Sequence, residues 1–201
     1  MRATHAIYIA VMFVVVSSAS ADPTATVYAG AGRSASPDSS GVTGSVIAGG
    51  SVRFPRGTGP WSTIVSFDAR RIYAEDQVQV GDHTRVMNAR GFGLRGLAGV
   101  RVQSRGVARV FAQLSIGLER DSATYEQTVS PSPQVTQEHA SSWGVALEPA
   151  FGFSLHSGPL AVGVRLAISW SGSEPLMPVS IPIQPRKVPD LFLTLFTDIG
   201  L

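Results

Sequence analysis

Leu160-Ala161-Val162-Gly163-Val164-Arg165-Leu166-Ala167-Ile168-Ser169-Trp170 decides the fold. In an extended chain Leu160, Val162, Val164, Leu166, Ile168 and Trp170 fall on one side, and Ala161, Gly163, Arg165, Ala167 and Ser169 on the other. A period of two is that of a β-strand with unlike faces. Here one face is large and apolar, and the other is small with one charge.

The same alternation recurs on both sides of this stretch. In 143–155, Trp143, Val145, Leu147, Pro149, Phe151, Phe153 and Leu155 alternate with Gly144, Ala146, Glu148, Ala150, Gly152 and Ser154. In 107–119, Ala108, Val110, Ala112, Leu114, Ile116 and Leu118 oppose Arg109, Gln113, Ser115, Gly117 and Glu119, with Val107 and Phe111 on the otherwise polar face. In 92–103, Phe92, Leu94, Ala98, Val100 and Val102 oppose Arg95, Gly99, Arg101 and Gln103. Segment 61–70 sets Trp61, Thr63, Val65, Phe67 and Ala69 against Ser62, Ser66, Asp68 and Arg70. Segment 42–54 sets Val42, Val46, Ala48, Val52 and Phe54 against Thr43, Ser45, Gly49, Ser51 and Arg53. Near the C-terminus Leu191, Leu193, Leu195, Thr197 and Ile199 oppose Thr194, Asp198 and Gly200. Segment 24–32 holds Val27 and Tyr28 among small residues, and its outward face is not legible. The sum is eight strands.

The connections alternate too. Pro55–Pro60, Ser104-Arg105-Gly106 and His156-Ser157-Gly158-Pro159 read as tight turns. The joins at 33–41, 74–91, 120–142 and 171–190 are long and polar or proline-rich. Short turns on one rim and long loops on the other describe a transmembrane barrel with extracellular loops. The expected fold is therefore all-β, an eight-stranded antiparallel up-and-down transmembrane β-barrel over residues 22–201.

Which face carries the bulk separates a barrel in lipid from one in water. A small soluble barrel packs large residues inside. The second face here holds Gly, Ala and Ser with Arg53, Asp68, Arg70, Arg95, Arg101, Arg109, Glu119, Glu148, Arg165 and Asp198. Such a set makes a poor dry core, because unpaired buried charge is costly, but a suitable polar lumen of paired charges and water. Glu148 and Arg165 are expected to stand directly opposite as an ion pair, if a two-residue turn falls at His156-Ser157. Phe54 and Trp61 at the turn-side ends, and Phe92, Trp143 and Trp170 at the loop-side ends, fit two interfacial aromatic girdles.

The N-terminus agrees with export. Met1-Arg2-Ala3-Thr4-His5 precedes the apolar run Ala6–Val16 and the small-residue stretch Ser17–Ala21, which is the pattern of a secretory signal peptide cleaved after Ala21. The run is too short for a spanning helix of about 20 residues. Loss of residues 1–21 removes one of the 16 basic side chains and none of the 14 acidic ones. The mature chain is nearly neutral, and no basic block suggests nucleic acid as a partner. There is no cysteine.

The arrangement resembles the small eight-stranded outer-membrane proteins of the OmpA transmembrane domain and OmpX kind, over essentially the whole mature chain. That resemblance implies a bacterial outer-membrane location, with outer-membrane lipid and lipopolysaccharide as surroundings. It also implies insertion by the barrel-assembly machinery, which reads a last strand ending in an aromatic residue. Here the strand Leu191–Leu201 alternates as expected but ends in Leu201.

Chemistry is thin. Beyond the signal the histidines are His83, His139 and His156. A lipid-A-modifying enzyme would need Ser, His and a carboxylate at the rim. Glu138, His139, Ser141 and Ser142 are the nearest approach, and on a loop they read as solvated polar residues. Asp76 and Asp82 could touch a bridging cation, but no metal-ligand spacing is present. No catalytic, cofactor-binding or metal site is expected. A narrow, porin-like channel is opposed by the bulk of the inward arginines. What specificity exists is assigned to the four long loops and an extracellular ligand there, including Tyr125, Ser130–Pro133 and the apolar Met177–Ile183.

Overall fold

The computed structural model describes residues 22–34, 42–80, 83–130, 134–171 and 189–201. The signal-peptide segment 1–21, the joins 35–41 and 172–188 (with Met177–Ile183), Asp82 and Pro131–Pro133 lie outside the described residues. So do the side chains of Asp76, His83, Tyr125 and Glu138.

The eight strands are β1 (Thr24–Ser34), β2 (Val42–Pro55), β3 (Trp61–Val80), β4 (His83–Gln103), β5 (Ala108–Ser130), β6 (Gln134–Ser157), β7 (Leu160–Ser171) and β8 (Asp190–Gly200). Each pairs antiparallel with the next, and β1 pairs with β8, so the sheet closes into a barrel. Through the membrane-spanning part, closure leaves no strand edge unpaired, the condition for a sheet surrounded by hydrocarbon.

Alternation along each strand sorts the side chains in the sense opposite to a water-soluble protein. Leu195, Phe67, Ile116, Phe151 and Val162 point outward, each more than half exposed, while Arg95, Glu119 and Glu148 are completely buried inside. On β1 the odd positions face out, with Val27 exposed and Tyr28 in the lumen. The outward apolar stretch on β3 runs from Trp61 to Ala69 and gives way to Arg71. That is close to the 9–11 residues a tilted strand needs to cross about 25 Å of hydrocarbon. The barrel is therefore a membrane-spanning one.

Two of the four long joins are strand rather than loop. The β3–β4 ladder continues past Arg71↔Phe92 for nine further pairs to Val80↔His83. The β5–β6 ladder continues past Arg120↔Trp143 for nine further pairs to Val129↔Gln134. The period-two pattern fades there because both faces meet water once the strands leave the membrane, and polarity stops reporting orientation. For the same reason Phe92 and Trp143 sit in mid-strand and not at strand ends.

The three tight turns hold the three glycines with positive φ: Gly57 (59°), Gly106 (114°) and Gly158 (59°). The last turn is Gly158-Pro159, since Ser157 pairs with Leu160. That register puts Gly152, not Glu148, across from Arg165. The β6–β7 ladder skips Glu148 and Pro149; Pro149 has no N–H to donate.

Inside the barrel, two apolar clusters occupy the spaces between the charges. One is Ile47, Ala150, Ala167 and Phe192; the other is Tyr28, Phe111 and Phe196. Phe111 and Phe196 meet edge to face with centroids 5.7 Å apart. Neighbouring staves come close at glycines: a Cβ on Gly117 would overlap the carbonyl oxygen of Gly96 on β4. Gly117→Val should therefore lower the yield of folded barrel sharply, measured as the fraction resisting proteolysis after detergent refolding. Gly57→Ala, with open space around it, should still fold and lose only about 1 kcal/mol, the cost of a left-handed backbone.

Candidate functional site

Charge is concentrated at three levels of the lumen. At the level nearest the extended hairpins, Arg70 of β3 meets Asp121 of β5 at 2.7 Å, Asp190 of β8 at 2.8 Å, and Glu119 of β5. At the middle level Arg95 of β4 grips Asp68 with both sides of its fork, Nε to Oδ1 at 2.8 Å and Nη2 to Oδ2 at 3.2 Å. It also pairs with Glu148 at 2.9 Å and donates to Ser169 at 2.8 Å. Arg165 reaches the same Glu148 from β7. Tyr28 Oη donates to Asp68 Oδ2 at 3.0 Å. At the turn-side level Arg53 stands 3.7 Å from Asp198 and donates to Gln103, and Thr26 donates to Asp198 at 2.6 Å.

The Glu148–Arg165 contact thus exists, but not as the directly opposed pair expected from the sequence. Glu148 lies four positions along β6 from Gly152, the residue opposite Arg165, so the guanidinium reaches it diagonally. Arg101 has no carboxylate within 4.0 Å among the described residues. Its Nε and Nη2 donate to Gln113 Oε1 at 3.2 and 3.0 Å, and its guanidinium lies 4.0 Å over the Phe111 ring. Arg109, expected in the lumen, stands half-buried at the turn-side rim, its Nε donating to the Gly106 carbonyl at 2.7 Å.

Among the described residues the fully buried charges balance. Arg53, Arg70, Arg95, Arg101 and Arg165 face Asp68, Glu119, Asp121, Glu148 and Asp198. Five against five matters because each unpaired ion in this interior costs several kcal/mol. Asp121, Asp190, Tyr28, Phe111, Phe192 and Phe196 belong to this interior too. Asp121 and Asp190 escape a sequence reading that ends the strands early. Parity alone carries the signal, since Phe192 and Phe196 share the inward side with Thr194 and Asp198.

The outer surface carries the aromatic positions. Trp61, Phe92, Trp143 and Trp170 are exposed on the outward face, and Phe54 is half-exposed there. Beside Phe92 and Trp143 lies a group of outward cations. Arg71 stacks on Tyr73 at 5.1 Å, Arg120 on Trp143 at 5.4 Å, and Arg90 pairs across from Tyr73. Just beyond this belt His139 Nε2 lies 3.5 Å from Ser122 Oγ, and its Nδ1 lies 3.3 Å from Thr124 Oγ1. A serine–histidine nucleophile needs a carboxylate on the second ring nitrogen. Among the described residues a threonine hydroxyl occupies that place, and no carboxylate bonds the ring.

No protein-family model and no curated protein matches the chain. Among solved structures, Neisserial surface protein A is 11% identical, with 89% of this chain and 96% of that one covered and a TM-score of 0.50. The attachment invasion locus protein Ail of Yersinia pestis, in complex with the heparin analogue sucrose octasulfate, is 11% identical over 90% and 97%, with a TM-score of 0.49. The outer membrane enzyme PagL is 17% identical over 88% and 99%, with a TM-score of 0.38. The likeness to Neisserial surface protein A, at this identity, is one of fold alone: a closed eight-stranded barrel. Function does not travel with a fold.

Arg95→Leu leaves Asp68 and Glu148 facing each other without their shared cation, and should cost about 3 kcal/mol in urea unfolding followed by tryptophan fluorescence. Arg109→Ala, at the rim, should cost less than about 0.5 kcal/mol. In planar bilayers the mature chain should give no discrete conductance steps. Regular unitary steps would mean that the lumen side chains leave an open path.

Proposed function

We propose that this chain is a non-enzymatic integral protein of the bacterial outer membrane, exported by residues 1–21, that acts at the cell surface through its two extended hairpins. One observation carries the reading. The β3–β4 and β5–β6 ladders each run nine pairs beyond the interfacial aromatic residues, about 30 Å of paired strand at 3.4 Å per residue. A barrel needed only as a membrane plug gains nothing from these projections, whereas the β4–β5 ladder, running out to Thr84↔Ser130, joins the two hairpins into one four-stranded sheet, and a rigid sheet presents a ligand surface at low entropic cost.

The lumen supports the same reading from inside. An eight-stranded barrel is just wide enough for its side chains to fill, and here those side chains are mutually paired arginines and carboxylates with aromatic rings between them. Outside, Arg71, Arg90 and Arg120 form a cationic group beside the aromatic residues of that rim, and guanidinium forks suit phosphate oxygens such as those of lipopolysaccharide. Lipopolysaccharide is the proposed lipid partner, the barrel-assembly machinery the proposed partner in insertion, and an extracellular ligand the partner of the hairpins.

The test is a pair of shortened chains, one lacking residues 74–89 and one lacking 122–141, each closed by a two-residue turn. Cells displaying either should keep a heat-modifiable barrel and lose adhesion to a panel of host-matrix proteins. Adhesion equal to that of the full chain would contradict the reading. Lipid A from cells carrying His139→Ala should show the same acyl pattern as from cells carrying the unaltered chain. Loss of a deacylated species would establish an enzyme at the rim.

A further inference from the structure

At the turn-side rim the chain builds a cavity of about 150 Å³, lined by Arg53, Gln103, Arg105, Arg109 and Trp61 among residues of the β2–β3 and β4–β5 turns. No carboxylate lines it. Three arginines therefore line one opening with no acid among them. The acid nearest in function is Asp198, 3.7 Å from Arg53 Nη2 and already accepting from Thr26.

The arginines are held in place by other means. Arg105 donates to the Thr58 carbonyl and Arg109 to the Gly106 carbonyl, so both are anchored on turn backbone with donors to spare. A guanidinium carries five N–H donors. Arg53 is 92% buried, being only 8% exposed, and its Nε has no hydrogen-bond partner among the described residues. Asp198 offsets the charge of Arg53, but Arg105 and Arg109 have no carboxylate within 4.0 Å among the described residues. Two rim cations without an acid partner leave the opening positive, which favours an anion.

The position indicates which anion. Trp61 lines the cavity, and it is also 54% exposed on the outward face at the lower end of the apolar band. Tryptophan in that place marks the level of lipid headgroups. The cavity is thus set by Trp61 near the height of the phosphate groups of the near leaflet. We propose that it is a binding site for a phosphate group, held by Arg53, Arg105 and Arg109 with Gln103 as a neutral donor. The phosphate comes either from a phospholipid headgroup or from free phosphate in the adjoining aqueous space.

The experiment uses the mature chain folded in octyl glucoside, a phosphate-free uncharged detergent, with titration calorimetry. The probes are inorganic phosphate and short-chain phosphatidylglycerol, with chloride as the control anion. The double variant Arg105→Gln, Arg109→Gln removes two rim cations outside the lumen ion pairs. Arg56→Gln removes one that donates to Thr63 and does not line the cavity. Retained heat-modifiable mobility checks that each variant has folded. The double variant should bind at least about tenfold more weakly, the effect of losing one or two charge-assisted bonds, while Arg56→Gln should stay within about twofold. Binding of both probes assigns the site to the phosphate group itself, and binding of the lipid alone assigns it to a headgroup at the interface. Binding of neither, or equal weakening in Arg56→Gln and the double variant, would overturn the proposal.

Discussion

The fork of Arg95, held between Asp68 and Glu148, is the contact on which the interior depends. Ladder hydrogen bonds tie each stave only to its neighbours. Arg95 of β4 instead ties β3 to β6 and, through Ser169, to β7. Tyr28 joins β1 to the same group through Asp68, and Arg165 joins it from β7 through Glu148. Arg70 does the same near the extended hairpins, linking β3, β5 and β8, and the Arg53–Asp198 pair links β2 to β8 near the turns. The barrel is thus cross-braced through its centre at three heights.

Such an interior looks expensive, since taking a charge out of water costs several kcal/mol and an apolar packing of equal volume is often as stable. The membrane changes the comparison. With hydrocarbon outside and an apolar core inside, both faces of every strand would be apolar, and a one-residue slip in register would cost little. Arginines and carboxylates on alternate positions make the two faces unlike. A slip would drive Arg95 or Glu148 into lipid, where it has no partner. The same charges that fill the lumen therefore also specify which way each strand faces.

This unlikeness is why so much of the fold was legible before any coordinates. Leu160–Trp170 and Trp143–Leu155 state their faces outright, and the glycine-bearing turns separate the strands. The limits of legibility have physical causes. The β3–β4 and β5–β6 extensions stand in water on both sides, so Glu126, Thr128 and their neighbours carry no pattern, and Asp121 was hidden with them. Pairing distance was equally out of reach: the turn at Gly158-Pro159 shifts Arg165 to face Gly152, yet its long side chain still finds Glu148. Arg109 shares the inward parity of the lumen residues but lies too near the strand end to enter the lumen, and instead lines the rim cavity.

The two surfaces proposed to meet other molecules lie at opposite ends. One end projects a four-stranded sheet above a belt of arginine and aromatic residues; the other gathers arginines around a small cavity beside Trp61. All of this rests on the outward face being in hydrocarbon. The direct test is the electrophoretic mobility of the mature chain folded in detergent, compared unheated and heated. The account predicts a faster band without heating that moves to the position of the unfolded chain after boiling, because a closed, cross-braced barrel resists dodecyl sulfate. A chain that stays soluble without detergent and shows one mobility under both conditions would contradict it.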